Sequence, residues 1–292
     1  MKRIHLTILI FLVGLGGVFP LGGQVTVEIV MGQEQVLRNE SLLLRVRVTN
    51  RSGQTLELGQ DQQWLNFTVT KRDGTVARRL GLVPVMDPFA LQSSQSKDRV
   101  VDLMPYYDLE PGRYQVVATV NIRAWNNQFS SKASAFEVVK GVKIWEQTVG
   151  IPQGEAVPAP PELRRYVLLQ ARYLKRMYLY ARVTGPADNK VYRVFPLGEI
   201  VNFVPVDHRV DRQSQLHVLF QDGARSFNYS VVDPDGRLLK RQRYDYFQSR
   251  PSLDGDEDGR VKVAGGIRRM VSTDYPAAVL LENTDEVQEP SP

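Results

Sequence analysis

The first half of the chain is dominated by short segments in which apolar and polar residues alternate. The pattern is clearest at Leu42, Leu44, Val46 and Val48, which are separated by single residues that are mostly polar. A period of two is typical of a strand with one buried face. About eight such strands, with turn residues between them and no long helical period, predict an antiparallel β-sandwich. This predicted domain spans residues 24–149, and Val142–Trp145 is predicted to be its last strand.

One short motif adds a family resemblance to this pattern. Pro111-Gly112-Arg113-Tyr114 precedes the apolar strand Tyr114–Ile122. The segment resembles the turn and tyrosine of bacterial immunoglobulin-like and fibronectin-III-like domains. The resemblance implies a β-sandwich and a hydrogen bond from the Tyr114 hydroxyl back to the preceding corner. It implies almost nothing about function, because such sandwiches carry many unrelated activities.

A proline-rich segment follows at residues 150–161, where four of the twelve residues are proline. Proline cannot donate to a strand ladder and favours an extended backbone. We therefore predict a semi-rigid spacer between two domains at this point.

The second predicted domain covers residues 162–275 and is also β-structured. Met177–Val183 and Val191–Phe195 predict a hairpin, and Leu216–Gln221, Arg225–Val232 and Leu238–Tyr246 predict a meander joined by Asp- and Gly-containing turns. The secondary structure of Glu162–Leu174 is not decided between helix and strand, because tyrosines recur from this segment onward at seven-residue spacing. The fold class is therefore all-β, with an immunoglobulin-like antiparallel sandwich followed by an antiparallel meander or propeller-like domain.

A repeat of about 45 residues supports the second part of this assignment. Residues 211–219 match residues 256–264, since in both an acidic turn with a small residue leads into a strand of alternating apolar residues. The pattern resembles the repeats of propeller-type proteins, whose four-stranded blades have this length. Two copies are too few to close a propeller. The alternatives are a small sandwich of stacked sheets or a partial repeat.

The N-terminus has the layout of a secretory signal. Lys2 and Arg3 precede an apolar run that ends in Gly22 and Gly23, which predicts a signal peptide at residues 1–23 and a mature chain from Gln24. An uncleaved membrane anchor is the alternative, but glycines dilute the run and no second apolar segment of spanning length follows. With no cysteine in the chain, disulfides and thiolate chemistry are excluded. We expect export to the bacterial periplasm or cell exterior.

Charge is distributed unevenly around a formal net value of +5. Basic pairs are concentrated in the second half, at Arg164–Arg165, Lys175–Arg176, Lys240–Arg241 and Arg268–Arg269, whereas residues 276–292 are acidic and predicted to be disordered. Such pairs are more often solvated than used to bind an anion. Export makes nucleic acid an improbable partner.

The sharpest candidate for a ligand site is the acidic run with Asp254, Asp256 and Asp258, whose D-x-D-x-D-G spacing is typical of calcium loops. The match to a calcium loop fails at position twelve, where such a loop needs a bidentate acidic residue and this chain has Gly265. Calcium is therefore a possible cofactor, and no other cofactor or metal is indicated.

Catalysis has little support in the sequence. Outside the signal, His208 and His217 are the two histidines, and His217 is predicted to lie on a sheet surface because Lys262 takes its place in the repeat. No H-E-x-x-H, G-x-S-x-G or phosphate-binding glycine loop occurs. Trp64 and Trp145 are expected in the core, and Trp125 is either packed or exposed for stacking on a sugar. We predict no enzyme and no catalytic residue.

These observations predict an exported, non-catalytic binding or scaffolding protein of the bacterial envelope that contacts another envelope protein or a polysaccharide. One alternative is an adhesion module dependent on carbohydrate or calcium. The other is a hydrolase with a site between the domains, which requires clustered acids with raised pKa values there.

The calcium hypothesis has a direct test. If the acidic run binds the ion in the folded state, millimolar calcium raises the melting temperature, since a ligand that binds only the folded chain stabilises it, and EDTA reverses the rise. Differential scanning calorimetry measures this shift. A melting temperature that neither calcium nor EDTA changes rules out the calcium-dependent form.

Overall fold

The computed structural model describes residues 24–151, 162–187, 190–201 and 204–276. The predicted signal peptide (residues 1–23) and residues 277–292 of the predicted tail lie outside these residues, as do residues 152–161 of the predicted spacer. The described part is nearly all β-structure, arranged in several antiparallel sheets. The predicted all-β fold class with antiparallel sheets is therefore confirmed.

Ten strands form the first half: β1 (Val25–Met31), β2 (Gln35–Leu37), β3 (Leu43–Asn50), β4 (Leu56–Leu58), β5 (Leu65–Lys71), β6 (Phe89–Leu91), β7 (Ser96–Asp102), β8 (Gly112–Ile122), β9 (Asn127–Ser130) and β10 (Ser134–Val139). Sheet 1 has the order β1-β3-β7, and sheet 2 has the order β2-β10-β8-β5 with β9 added beside β8. Strands β4 and β6 form a separate pair, and β2 runs parallel to β10.

Sheets 1 and 2 bury their apolar faces in one shared core. The alternation predicted along β3 holds, because Leu44, Val46 and Val48 are buried whereas Arg45 and Arg47 are exposed. Trp64 is also buried there, and its indole N–H donates to the carbonyl of Val85 over 2.8 Å. A buried indole needs such a partner, because an unsatisfied donor costs stability.

The hydrogen bond expected of Tyr114 is present. Its hydroxyl donates to the carbonyl oxygen of Glu110 over 2.7 Å, and its ring stacks on Phe136. The bond ties the start of β8 to the corner before it, as the motif predicted.

The described residues of the second half form eleven strands: β11 (Val142–Gly150), β12 (Leu163–Tyr173), β13 (Arg176–Thr184), β14 (Val191–Glu199), β15 (Asp207–Val210), β16 (Leu216–Gln221), β17 (Ser226–Val232), β18 (Leu238–Asp245), β19 (Ser252–Gly255), β20 (Val261–Ala264) and β21 (Ile267–Arg269). Sheet 3 is the meander β11-β12-β13-β14, and sheet 4 has the order β15-β16-β17-β18-β21. Strands β19 and β20 pair with each other as a hairpin.

Strand pairing corrects two predictions about the boundary between the halves. Val142–Trp145, predicted to close the first half, belongs to β11 and pairs with β12 in sheet 3. The proline-rich segment therefore connects two neighbouring strands of one sheet, since the amide of Ile151 donates to the carbonyl of Glu162 over 2.8 Å. Proline argues only against strand pairing within the segment itself. It does not argue against pairing between the strands on either side, and the sequence prediction did not make that distinction.

The chain instead crosses between the halves at Lys140 and Gly141. A Cβ on Gly141 would lie 3.1 Å from the Cβ of Leu169 and 3.2 Å from the Cδ2 of Leu37. Leu37 packs into an apolar cluster with Val167 and Leu169 of β12. A side chain at residue 141 would therefore require Leu37 or Leu169 to shift by a few tenths of an ångström.

The layers of the second half stack face to face. One face of sheet 3, including Tyr166 and Leu168, shares a core with Val218 and Phe220 of sheet 4. The opposite face of sheet 4 is covered by the β19–β20 hairpin through a second cluster that contains Leu253. Each sheet is thus buried by its neighbour.

In the structure, the two copies of the 45-residue repeat form equivalent pairs of strands, β15–β16 and β19–β20. Residues 207–210 of β15 map onto residues 252–255 of β19, and β16 maps onto β20 at the same offset. In both copies the turn begins with an aspartate whose carboxylate accepts the amide of the residue four positions on: Asp211 from Gln215 and Asp256 from Arg260. The fourth turn residue has a positive φ in each, Ser214 at 61° and Gly259 at 71°. This geometry is a hairpin turn with a glycine-type bulge.

Removal of one hydroxyl tests the contact between sheets 3 and 4. Tyr166 is fully buried, and its hydroxyl donates to the carbonyl of Ser214 over 2.7 Å. We expect Tyr166→Phe to lower the free energy of unfolding by about 1–2 kcal/mol, because a buried carbonyl loses its partner. Urea denaturation measures the change.

The matched control is Tyr192→Phe, whose exposed hydroxyl lies 3.3 Å from a carboxylate oxygen of Glu162. Its expected cost is below about 0.5 kcal/mol, as for most surface changes. Equal losses in the two variants would contradict the role given to Tyr166.

Candidate functional site

A β-bulge in β11 places Trp145 at the surface of a cleft. Lys143 lies opposite Leu169 on the face toward the first half, whereas Trp145 lies opposite Leu168 on the face toward sheet 4. Residues two apart in a regular strand share one face. The extra residue, Ile144, therefore turns Trp145 to the other side, as bulges near binding sites often do.

The cleft opens between β11 and β15, which are edge strands of sheets 3 and 4. It has a volume of about 470 Å³ and is lined by Ile144, Trp145, Gln170, Val204, Pro205, Val206 and His208. We call it the Trp145 cleft. The rings of Trp145 and His208 lie 4.3 Å apart at an angle of 31°. Apolar walls with a few polar groups are typical of sites that bind a ligand by contact.

His208 is uncharged in the neutral pH range in this setting. Burial lowers its pKa, and the nearby carboxylate of Asp207 opposes that effect only in part. Asp207 itself accepts a hydrogen bond from the amide of Leu253 over 2.7 Å. The cleft therefore offers a neutral imidazole packed against an indole at a tilt.

This cleft was missed from the sequence, because Trp145 was expected in the core. The tryptophan is half-buried and packs on the edge of the core between sheets 3 and 4. A signal for the bulge was present in Ile144-Trp145, two successive large apolar residues in a strand whose other apolar residues are isolated. Of the other tryptophans, Trp64 is in the core and Trp125 packs edge-on against Phe129 at 6.2 Å.

His217 is the second histidine, and its predicted place on a sheet surface is wrong. It is only 5% exposed, because the β19–β20 hairpin lies over its face of sheet 4, whereas Lys262 at the equivalent position of β20 is exposed. The repeat predicted the strand correctly. It could not show that the first copy is covered by the second.

His217 is the centre of a buried polar network. Its Nε2 lies 3.0 Å from a carboxylate oxygen of Asp211, and its Nδ1 lies 2.7 Å from the hydroxyl of Tyr229. Because a carboxylate only accepts, we assign the proton to Nε2, so that Nδ1 accepts from Tyr229. Burial lowers the pKa of His217, and the hydrogen bond to Asp211 offsets part of this effect. All ring nitrogens are satisfied, which fits a role in stability.

The calcium candidates are distributed along one hairpin. Asp254 lies in β19, Asp256 begins the turn and Asp258 lies within it. The Asp256 carboxylate already accepts the amide of Arg260 over 2.7 Å. Within the described residues no group of three or more histidine and acidic side chains is placed to hold a metal ion. Calcium binding stays a prediction, and turn formation accounts for Asp256.

The cavity between the two halves is not markedly acidic. Glu110 and Glu146 line it together with Arg38, Lys140, Lys143 and Arg182. Burial does raise the pKa of Glu40, but its carboxylate accepts the amide of Leu37 over 2.7 Å and so closes a turn. The clustered acids that a hydrolase would need are not assembled among the residues that line this cavity.

The basic pair Arg164–Arg165 is not an open anion site. The Arg164 side chain is 6% exposed and contacts the carboxylates of Glu162 and Asp235. Its Nε also donates to the carbonyl of Pro234 over 3.2 Å, which joins sheets 3 and 4.

Comparison with known proteins identifies no family. No family model matches the chain, and no curated protein matches it. A search of solved structures finds the sporulation control protein Spo0M from Bacillus subtilis, with a TM-score of 0.30 and 11% sequence identity. The match covers 58% of this chain and 83% of that chain. The described residues contain no helix long and apolar enough to cross a membrane.

The buried histidine makes stability depend on pH. The folded-state pKa of His217 lies below its ordinary value of 6.5, so the unfolded chain takes up the proton first as pH falls. We expect the free energy of unfolding to decrease between about pH 7 and pH 5, and His217→Gln to flatten this dependence. Urea denaturation at several pH values measures both slopes.

His208→Gln is the comparison variant. Burial also lowers the pKa of His208, so this variant loses only the smaller contribution of His208 to the slope and keeps that of the more deeply buried His217. Carboxylates with lowered pKa values, such as Asp98, lose their contribution only below about pH 4. The raised pKa of Glu40 acts in the opposite sense, but equally in all the variants, so it cancels when their slopes are compared. Identical slopes for the wild type and His217→Gln would refute the assignment.

Proposed function

We propose that this chain is an exported, non-catalytic binding protein of the bacterial envelope that holds an extended segment of another protein in the Trp145 cleft. In this proposal the first half is an immunoglobulin-like sandwich and the second half is an open stack of propeller-type sheets. The layout of residues 1–23 and the absence of cysteine support export.

The observation that carries the proposal is the position of the cleft between two sheet edges. Among the described residues, strands β11 and β15 each pair on one side only, so each has backbone N–H and C=O groups directed away from its sheet. An extended peptide gains main-chain hydrogen bonds by pairing with such an edge. The cleft therefore offers both backbone pairing and side-chain contact.

The walls of the cleft supply the apolar part of recognition. Ile144 of β11 is 39% exposed, and Val204, Pro205 and Val206 line the other side. Exposed apolar residues beside a half-buried tryptophan are typical of a contact surface, where tryptophan often contributes most to affinity.

The residues that line the cleft favour binding over catalysis. His208 is the titratable group among them, and its neighbours in the cleft are apolar side chains and the amide of Gln170. A general base alone, without a nucleophile or a group that orients it, is an incomplete catalytic set.

Capture from an envelope extract tests the proposal. The chain from Gln24 to Pro292 is immobilised as wild type and as Trp145→Ala, and bound material is quantified by mass spectrometry. We expect Trp145→Ala to reduce binding of the specific partner about tenfold or more, because the indole is the largest apolar contact in the cleft.

Trp125→Ala is the matched control, since it also removes a half-buried indole, but from the first half. It should leave capture unchanged. Equal loss in both variants, or none in either, would overturn the assignment of the cleft. Captured material that survives protease and is released by glycan digestion would instead favour the polysaccharide alternative.

A further inference from the structure

The turns of the second half divide into two chemically different ends. Successive strands reverse direction, so the turns 211–215, 233–237 and 256–260 lie at one end of the stack, and the turns 222–225, 246–251 and 265–266 lie at the other. The first group consists of hairpin turns that begin with Asp211, Asp233 and Asp256. We call the second group and its adjoining strand ends the basic-aromatic end.

Arginines dominate the basic-aromatic end. A cavity of about 510 Å³ is lined there by Arg225, Ser226, Arg243, Asp245, Tyr246, Phe247, Ile267 and Arg269. Arg225 forms no ion pair with any described residue; its guanidinium donates to the carbonyl of Tyr246 over 3.3 Å and lies near that ring. Three arginines therefore line the same cavity as one aspartate.

The carboxylates at this end do not cancel the arginines. Asp245 lies 3.3 Å from Arg269, and Asp222 lies 3.6 Å from Arg243. Arg225 and Arg250 remain without an acidic partner among the described residues, and Arg250 instead lies over the ring of Phe227. The end thus has positive charge available for a ligand.

Large apolar side chains are exposed beside these arginines. Phe247 is 56% exposed, Ile267 is 51% exposed and Tyr246 is 42% exposed. Their loops are tied together, because the amide of Tyr246 donates to the carbonyl of Arg225 over 2.7 Å. The exposed apolar and basic groups therefore form one patch held by neighbouring loops.

We propose that the basic-aromatic end docks on the surface of an anionic lipid bilayer. Aromatic and aliphatic side chains insert at the headgroup level, while arginines that surround them contact phosphate groups. An acidic protein would also satisfy the arginines. The lipid surface fits better, because it has apolar depth for Phe247 and Ile267 as well as negative charge for the arginines. Arg225 has no acidic partner among the described residues, and Arg269 shares the cavity's one acidic lining residue, Asp245.

The orientation that follows agrees with the charge of the opposite end. The Asp-initiated turns lie at the far end of the same strands, and their carboxylates would be repelled by an anionic surface. The acidic and basic ends therefore favour a single orientation, with the strands of sheet 4 directed away from the bilayer. This docking surface does not include the Trp145 cleft, so it is independent of the proposed partner site.

Vesicle co-sedimentation tests the proposal. The chain from Gln24 to Pro292 is used, because the apolar run of residues 1–23 would bind lipid by itself. We expect binding to vesicles of phosphatidylcholine with about 30% phosphatidylglycerol, little binding to phosphatidylcholine alone, and weakening by high salt. Arg225→Glu combined with Arg269→Glu should reduce the partition coefficient about 30-fold or more, and Phe247→Ser should reduce it several-fold.

The matched control is Arg212→Glu with Arg260→Glu, which makes the same change in net charge at the acidic end, where both residues are exposed. It should retain most of the binding. Urea denaturation shows whether each variant is folded; if Arg225→Glu with Arg269→Glu is not, Arg225→Gln with Arg269→Gln replaces it, with a smaller expected loss.

The proposal is overturned if both charge-reversal pairs lose binding equally, or if neutral vesicles bind as well as anionic ones. Binding to soluble polyglutamate without binding to anionic vesicles would also overturn it and would favour an acidic protein partner.

Discussion

Burial of both faces of sheet 3 is the constraint on which the rest of the structure depends. In β12, Val167 and Leu169 face the first half, and Tyr166 and Leu168 face sheet 4. Without sheet 3 as the central layer, neither the first half nor sheet 4 could be packed as it is. The fully buried hydroxyl of Tyr166 must then find a partner within the protein, which it does at the carbonyl of Ser214.

The stacking also explains why the two copies of the repeat differ. His217 in the first copy is enclosed by the β19–β20 hairpin, so it is neutral and bonded on both ring nitrogens, whereas Lys262 in the second copy faces outward. The repeat conserves the strand and its Asp-initiated turn, because these are local. Whether a side chain is covered depends on the next layer, which only the first copy has among the described residues.

The same layering leaves particular surfaces available. Sheets that stack face to face keep their edges free, and the Trp145 cleft lies where two such edges, β11 and β15, come together. The ends of the strands form the other available surfaces, and there the composition of the turns sets the charge. Edges and ends are therefore the places where a partner or a bilayer would contact this fold.

The resemblance to immunoglobulin-like domains implied the hydrogen bond of Tyr114, which is present. By itself the sequence determined the all-β class, the meander of β16, β17 and β18 and the Asp-initiated turns. These features depend on alternation and on turn chemistry, which act over a few residues. Strand β12 stayed ambiguous between helix and strand, because a strand buried on both faces has no alternation.

Only the tertiary structure decided which sheet contains β11, that residues 151 and 162 are hydrogen-bonded neighbours, and that Trp145 faces a cleft. A strand near a boundary can pair on either side, and a single bulged residue reverses the direction of every side chain after it. Both outcomes are set by contacts between residues distant in sequence. For that reason the candidate site, which lies between two sheets, could be located only when those sheets were seen packed together.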